Sequence, residues 1–132
     1  MSEYAYEVAI DVRLRDVDFM GHVNNAIYAT YLEEAREAYF TDVVGRSLVG
    51  LDTVLASLEI DYKTPIEAEQ AVTVGLEVTD LGDSSIPIVY ELRADGAQAA
   101  TARSVQVFVD RESGTARSIP PELRNRLETD TR

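Results

Sequence analysis

The fold is decided by the stretch Asp16-Val-Asp-Phe-Met-Gly-His-Val-Asn-Asn25, which separates two different hydrophobic patterns. In residues 6–16, before and into this stretch, apolar and polar residues alternate. One face of that segment collects Tyr6, Val8, Ile10, Val12 and Leu14. A period of two is typical of a half-buried strand. Gly21 then permits a turn, and Asn24 or Asn25 is suited to cap a helix.

After the junction the pattern changes to that of a helix. In residues 26–40 apolar side chains recur every three or four positions, and no glycine or proline interrupts them. This spacing predicts one long amphipathic helix. Its polar face is expected to carry Glu33, Glu34, Arg36 and Glu37, with Glu33 and Arg36 close enough to interact.

Four more segments alternate like strands, at residues 54–62, 72–78, 86–92 and 99–109. Between the last two lies Asp95-Gly96, a pair favoured in two-residue hairpin turns. Residues 122–132 predict only a short, fraying helical turn. The order of strand, helix and four strands predicts an α+β fold, with a five-stranded antiparallel sheet and one helix on one face. The length favours a single domain over residues 1–132.

Composition excludes several classes of function. The absence of cysteine rules out disulfides, a thiolate nucleophile and a cysteine zinc site. No apolar run reaches the roughly 18–20 residues of a membrane span, and the N-terminus has no secretory pattern. We therefore expect a cytoplasmic protein without a membrane partner. No basic stripe is present, which disfavours nucleic acid as a partner.

The charge balance is strongly acidic. Twenty-four acidic and twelve basic residues give a net charge of −12, beyond the ~2–8 charges usual for a small soluble domain. The acidic side chains on such a surface repel one another at low salt, and high salt screens this repulsion. This favours a halophilic protein from a high-salt cytoplasm over an ordinary acidic protein.

Candidate chemistry gathers at the junction. Asp16 and Asp18 precede a helix N-terminus, whose free N–H groups can stabilise an oxyanion, and His22 lies between them and the helix. Either carboxylate could act as base or nucleophile; equally, both could only complement the helix dipole. A metal site of Asp16, Asp18 and His22 is disfavoured, since there is no second histidine and no calcium-loop pattern.

Residues 15–36 resemble the hotdog-fold thioesterases of the 4-hydroxybenzoyl-CoA thioesterase group. The similarity is carried by Asp-x-Asp-x-x-Gly at 16–21, by Asn24 followed four residues later by Tyr28, and by Glu-Ala-Arg at 34–36. Weaker likeness continues at residues 60–65 and 109–120, so it covers nearly the whole chain. The resemblance implies a hotdog fold, in which the sheet wraps around the long helix.

The resemblance also implies a reaction, the hydrolysis of an acyl-CoA to free acid and CoA without metal or redox cofactor. Asp18 would be the catalytic carboxylate, as nucleophile or general base, and the Asn25 N–H would polarise the carbonyl. His22 matches a histidine of the plant acyl-carrier-protein thioesterases. This match makes His22 a candidate catalytic residue. Met20, however, replaces their asparagine, so ordering of the loop or a hydrogen bond to substrate suits His22 as well as catalysis does.

Two residues are candidates for substrate binding. Tyr28 lies one turn inside the helix and could face a pocket or the core, and Lys63, the one lysine, could meet a CoA phosphate or be a lone exposed charge. Another branch of hotdog enzymes uses a helix glutamate, which makes Glu33 and Glu34 alternatives to Asp18.

The resemblance further implies a homodimer or homotetramer, with sheets joined edge to edge and active sites at the subunit interface. Three other functions stay open at this point: a non-catalytic acyl-CoA-binding module, a thioesterase for acyl-carrier-protein substrates, and a hotdog dehydratase.

Overall fold

The computed structural model describes residues 4–130, except for the side chains of 129 and 130. Its main elements are β1 (Tyr6–Ile10), α1 (Ile27–Tyr39), β2 (Thr53–Tyr62), β3 (Val72–Val78), β4 (Ser85–Ala94), β5 (Ala97–Phe108) and α2 (Pro121–Asp130). The strands form one sheet in the order β1-β3-β4-β5-β2, and every neighbouring pair is antiparallel. The predicted sheet of five antiparallel strands with one central helix is confirmed.

The core lies between α1 and the inner face of β1, β3 and β4. The helix buries Tyr28, Tyr31, Leu32, Ala35 and Tyr39 there. The strands contribute alternate residues, which accounts for the period of two in the sequence: Ile10, Val72, Val74, Leu76, Val78, Ile86, Ile88, Tyr90 and Leu92. The apolar face of α1 packs against these rows of strand side chains. The helical and strand periodicities of the sequence therefore determine which face of each element is buried.

The hairpin between β4 and β5 forms as predicted. Asp95 and Gly96 both have positive φ, 52° and 83°, the backbone that a type I′ turn requires. The Asp95 carboxylate also accepts the Ala71 N–H at 2.8 Å, which fastens this turn to the start of β3.

Three expectations are wrong in detail. The first strand ends at Ile10, and Leu14, placed on its inner face by the alternation, is 92% exposed in a 3₁₀ turn at Leu14–Asp16. Arg36, assigned to the polar face, is only 4% exposed and forms no ion pair with Glu33 among the described residues. The expected fraying turn is a ten-residue helix, α2, because it buries Leu123 and Leu127 against the core.

One half of the inner face is not covered by α1. On β2, Leu55 and Tyr62 share this face with Leu58 and Ile60 through their pairing with β5, and they are 42% and 48% exposed. β2 is an edge strand, paired only with β5 within residues 4–130. An open, partly apolar cleft therefore runs between α1 and β2.

Within residues 4–130, no helix is long and apolar enough to cross a membrane.

Candidate active site

The loop at residues 17–23 holds the Asp18 carboxylate through backbone contacts. Val17 and Val23 form an antiparallel bridge, and the Asp18 N–H donates to the His22 carbonyl at 2.8 Å. Asp18 Oδ1 accepts the N–H groups of Met20 at 2.9 Å and His22 at 3.2 Å. Oδ2 makes no hydrogen bond within residues 4–130 and the side chain is exposed. One oxygen thus anchors the carboxylate and the other is free to react.

The sharp turn of this loop depends on Gly21, whose φ is +85°. A side chain there would strain the backbone even though open space surrounds it. Segment 66–68 braces the loop, since the Val23 N–H donates to the Ile66 carbonyl at 2.8 Å and the Ala68 N–H to the Gly21 carbonyl at 3.1 Å. The loop is therefore built as a rigid support.

The start of α1 follows immediately. The Asn24 side-chain oxygen accepts the Ala26 N–H at 2.9 Å in the turn that precedes the helix. The N-cap of α1 is Ala26 and no side chain of residues 4–130 caps it, so the prediction that Asn24 or Asn25 caps the helix is wrong. The Asn24 N–H donates to the Asp16 carbonyl. The Asn25 N–H has no acceptor among the described residues and lies at the positive end of the helix dipole. It is thus available to a ligand oxygen.

Tyr62, at the end of β2, ties the sheet to this helix start. Its hydroxyl donates to the Asn25 carbonyl at 2.8 Å, and its ring meets that of Tyr28 edge to face, with centroids 4.9 Å apart. Tyr28 is 1% exposed, and burial raises the pKa of its phenol. Tyr28 is therefore a core residue beneath the site, and it contacts Tyr62 at the surface of the site.

Asp16, the other acid of the pair, has a structural environment. It is 5% exposed, and its Oδ2 accepts the Arg13 N–H at 2.9 Å and the Tyr31 hydroxyl at 2.8 Å. Burial alone would raise the pKa of Asp16, but these two donors and the positive charges of Arg15 and Arg13 hold it below the ordinary value. The buried carboxylate fastens the segment before the loop to α1.

The five predicted site residues lie in the 17–23 loop, at the start of α1 and directly after β2. Asp18 and His22 share the loop, where the backbone N–H of His22 makes the contact with Asp18. Asn25 and Tyr28 are at the beginning of α1. Lys63 is exposed, directly after Tyr62, and pairs with no carboxylate of residues 4–130. The alternative carboxylates Glu33 and Glu34 lie further along α1, on the wall of the cleft.

The cleft between α1 and β2 forms a groove of about 600 Å³. Its apolar walls include Leu48, Val49 and Leu55, and Thr30 is its lining residue closest to the start of α1. Buried polar groups also reach it, those of Arg36 and Gln106. A flexible, mostly apolar chain that starts at the helix N-terminus would fit such a groove.

Several contributors to this site were not identified from sequence. Tyr62 was placed only in a strand, and its position at a strand end, just before Lys63-Thr-Pro65, is the one available signal. The bracing carbonyl of Ile66 and the bridge from His22 to Glu67 have no signal, because any residue type provides backbone groups. Among residues 4–130, no group of three or more histidine, aspartate or glutamate side chains is arranged to hold a metal ion.

Comparison with known proteins places these features in a family. The model of the thioesterase-like superfamily matches residues 12–127. A thioesterase of Thermus thermophilus, solved with coenzyme A and zinc, is 35% identical with a TM-score of 0.88, covering 98% of this chain and 96% of its own. The long-chain acyl-CoA thioesterase FadM of Escherichia coli is 28% identical over 92% of this chain and 96% of its own. YsmA, an uncharacterised protein of Bacillus subtilis, is 27% identical over 96% of this chain and 87% of its own.

A five-stranded antiparallel sheet around one helix, with an acidic loop leading into that helix, defines the hotdog class of thioesterase folds. The chain belongs to the thioesterase-like superfamily. The predicted hotdog fold and the resemblance to these thioesterases are confirmed, and family membership supports thioester hydrolysis as its general activity.

Proposed function

We propose that the chain hydrolyses acyl-CoA thioesters at the junction of the 17–23 loop and α1. The observation that carries this proposal is the Asp18 carboxylate, held by two backbone N–H groups through Oδ1, with Oδ2 free and exposed. It stands a few residues before the Asn25 N–H, which has no acceptor among residues 4–130. A nucleophile or base and an oxyanion donor are the two groups that acyl transfer requires.

The reaction follows from these two groups. The Asn25 N–H polarises the thioester carbonyl and stabilises the negative charge that develops on its oxygen. Either Asp18 Oδ2 attacks the carbonyl carbon, giving an anhydride that water then opens, or Asp18 takes a proton from a water molecule that attacks. In both routes the C–S bond breaks and CoA leaves as a thiolate. Because thiols are acidic, with a pKa of ~8.5 for cysteine, departure does not depend on a strong general acid.

The substrate assignment rests on the family and the groove. FadM acts on long-chain acyl-CoA by its name, and the Thermus thermophilus thioesterase was solved with coenzyme A. In this chain the acyl group would enter the α1–β2 groove, and Lys63, beside Tyr62, would meet a CoA phosphate. On a surface of net charge −12 such a cation offsets the repulsion of an anionic ligand.

Thiol release from a panel of acyl-CoAs in multimolar KCl tests the proposal, with Asp18→Asn beside the wild type. Asparagine keeps a side-chain oxygen for the Met20 and His22 N–H groups, so the loop is retained while the reactive charge is lost. We expect turnover to fall by about 10²-fold or more. Asp110→Asn is the matched control, because Asp110 also accepts two backbone N–H groups, those of Glu112 and Ser113, in a loop after β5.

Each other outcome has a distinct meaning. Undiminished turnover in Asp18→Asn would remove Asp18 from the mechanism and direct attention to Glu33 and Glu34. Acyl-CoA binding without turnover in the wild type would instead indicate the non-catalytic module or a carrier-protein substrate.

We also propose a homodimer joined through β2. The support is the outer edge of this ten-residue strand, which pairs with no other strand of residues 4–130, together with the exposed inner-face side chains of Leu55 and Tyr62. Natural proteins rarely leave such an edge open. Sedimentation at high salt should give at least twice the monomer mass of 14.6 kDa. A charge on this face, as in Leu58→Arg, should shift the sample toward monomer, and a wild-type monomer would refute the assembly.

A further inference from the structure

We propose that the α1–β2 groove selects acyl chains that carry a hydroxyl group far from the thioester, through Arg36 and Gln106. This inference rests on the proposed thioesterase function and specifies its substrate class. It starts from two polar side chains that are buried in the monomer, line the same groove and are incompletely satisfied.

Gln106 provides the first observation. It lies on the inner face of β5, opposite Leu55 of β2 and Ile86 of β4, and is 7% exposed. Its amide nitrogen donates to the Thr53 hydroxyl at 3.1 Å, whereas its buried amide oxygen has no partner among the described residues. A buried acceptor without a donor is unfavourable, because it has given up its hydrogen bonds to water. A ligand donor in the groove would remove that cost.

Arg36 provides the second observation. Only 4% of it is exposed, yet within residues 4–130 its guanidinium forms one hydrogen bond, to the Tyr90 hydroxyl at 3.1 Å, and no ion pair. Guanidinium has five N–H donors. The nearby acid Glu37 is committed elsewhere, to the Ser47 hydroxyl and the Leu48 N–H. Arg36 therefore has donors to spare where the groove meets the core.

These two groups together favour a hydroxyl over other polar groups. A hydroxyl is both an acceptor and a donor, so it suits the Arg36 N–H groups and the Gln106 oxygen, which line the same groove. A carboxylate offers no donor to Gln106. It would also enter a groove whose walls already carry Glu33, Glu34 and Glu37, which repel a second negative charge.

The position of these residues sets the chain length. Arg36 is nine residues beyond Ile27, the first residue of α1, which is about 14 Å at 1.5 Å per residue. Gln106 is six residues beyond Ala100, the partner of Tyr62, which is about 20 Å along the strand. At roughly 1.2 Å of length per bond of an extended chain, these two distances match an acyl chain of about 12–16 carbons.

The test compares three CoA thioesters of about 14 carbons: a plain chain, one with a hydroxyl near its end, and one with a terminal carboxylate. We expect the wild type to hydrolyse the hydroxylated chain with about tenfold higher kcat/KM than the plain one, equivalent to roughly 1.4 kcal/mol. Gln106→Leu should bring the ratio to about one. Gln98→Leu, at an exposed glutamine of the β4–β5 hairpin, should leave the ratio unchanged.

Binding of the free acids, measured by calorimetry, separates this inference from the reaction. Tighter binding of the hydroxylated acid that is lost in Gln106→Leu would support the selection even if no thioester were hydrolysed. If the wild type makes no distinction between plain and hydroxylated chains, or prefers the carboxylate, the inference is wrong, whatever the rate of turnover. Equal ratios in the wild type and Gln106→Leu would overturn it as well.

Discussion

Replacing Tyr31 by phenylalanine removes one hydroxyl from a buried carboxylate and should cost stability in a pH-dependent way. The hydroxyl donates to Asp16 at 2.8 Å, and both residues are at least 95% buried, with exposures of 1% and 5%. A hydrogen bond to a buried charge contributes about 1.5–3 kcal/mol. For a chain of this size, we expect the midpoint of thermal unfolding to fall by roughly 5–15 °C at neutral pH.

The sign of the pH dependence follows from the lowered pKa of Asp16. A carboxyl group whose pKa is lower in the folded state stabilises the fold above its unfolded pKa of ~3.9. That stabilisation is lost as the pH falls through the folded pKa. Without the Tyr31 hydroxyl, the folded pKa of Asp16 rises. The difference in unfolding free energy between wild type and Tyr31→Phe should therefore be largest near neutrality and shrink as the pH falls below the ordinary carboxyl pKa.

Urea unfolding at a series of pH values and constant high salt measures this difference. Tyr28→Phe is the control, because its buried phenol oxygen accepts the uncharged Ile66 N–H. Tyr28→Phe should lower the unfolding free energy by about 0.5–1.5 kcal/mol, and this loss should stay the same as the pH falls. Tyr31→Phe could lower the unfolding free energy by less than ~0.5 kcal/mol, or by an amount that stays constant as the pH falls and Asp16 becomes protonated. Either result would show that this contact does not stabilise the charge.

Two further predictions concern the helix start and the surface charge. Tyr62→Phe removes the donor to the Asn25 carbonyl but keeps the ring contact with Tyr28, so we expect kcat to fall several-fold with less than ~1 kcal/mol of stability lost. Tyr6→Phe, which loses a comparable exposed hydrogen bond to Asp42, should leave kcat unchanged. If Tyr6→Phe and Tyr62→Phe lowered kcat equally, Tyr62 would have no role in positioning the start of α1. The net charge of −12 predicts that the unfolding midpoint rises steadily from about 0.1 M to multimolar KCl, as the Debye length falls from ~10 Å toward 3 Å or less. A flat profile would contradict the halophilic interpretation.

The parts of the fold that sequence predicted are those fixed by local rules. Periodicity located α1 and four of the strands to within a few residues, because each buries one face. Asp95-Gly96 located the hairpin because its backbone favours few other residue pairs. Leu14 was misplaced because an alternation in sequence does not reveal where a strand leaves the sheet.

The candidate site was predicted unevenly for a similar reason. Asp18 and Asn25 stand in a local motif, so their neighbourhood was visible. Tyr62 comes from a distant strand, and its contact with Asn25 depends on tertiary packing. Arg36 was assigned to solvent because charge favours the surface, and its burial beside Tyr90 appears only once β4 is in place. Long-range contacts of this kind leave no periodic signal.

The way the 17–23 loop is held has a consequence for how new specificities can arise. Backbone groups position the Asp18 carboxylate, while the side chains of Phe19 and Met20 at the tip are 99% and 67% exposed. Substitution at these two positions alters the surface beside the reactive oxygen and leaves the amide contacts intact, except for proline at position 20, which has no N–H to donate. A library confined to them should therefore contain many active members, which makes this tip a natural starting point for directed evolution.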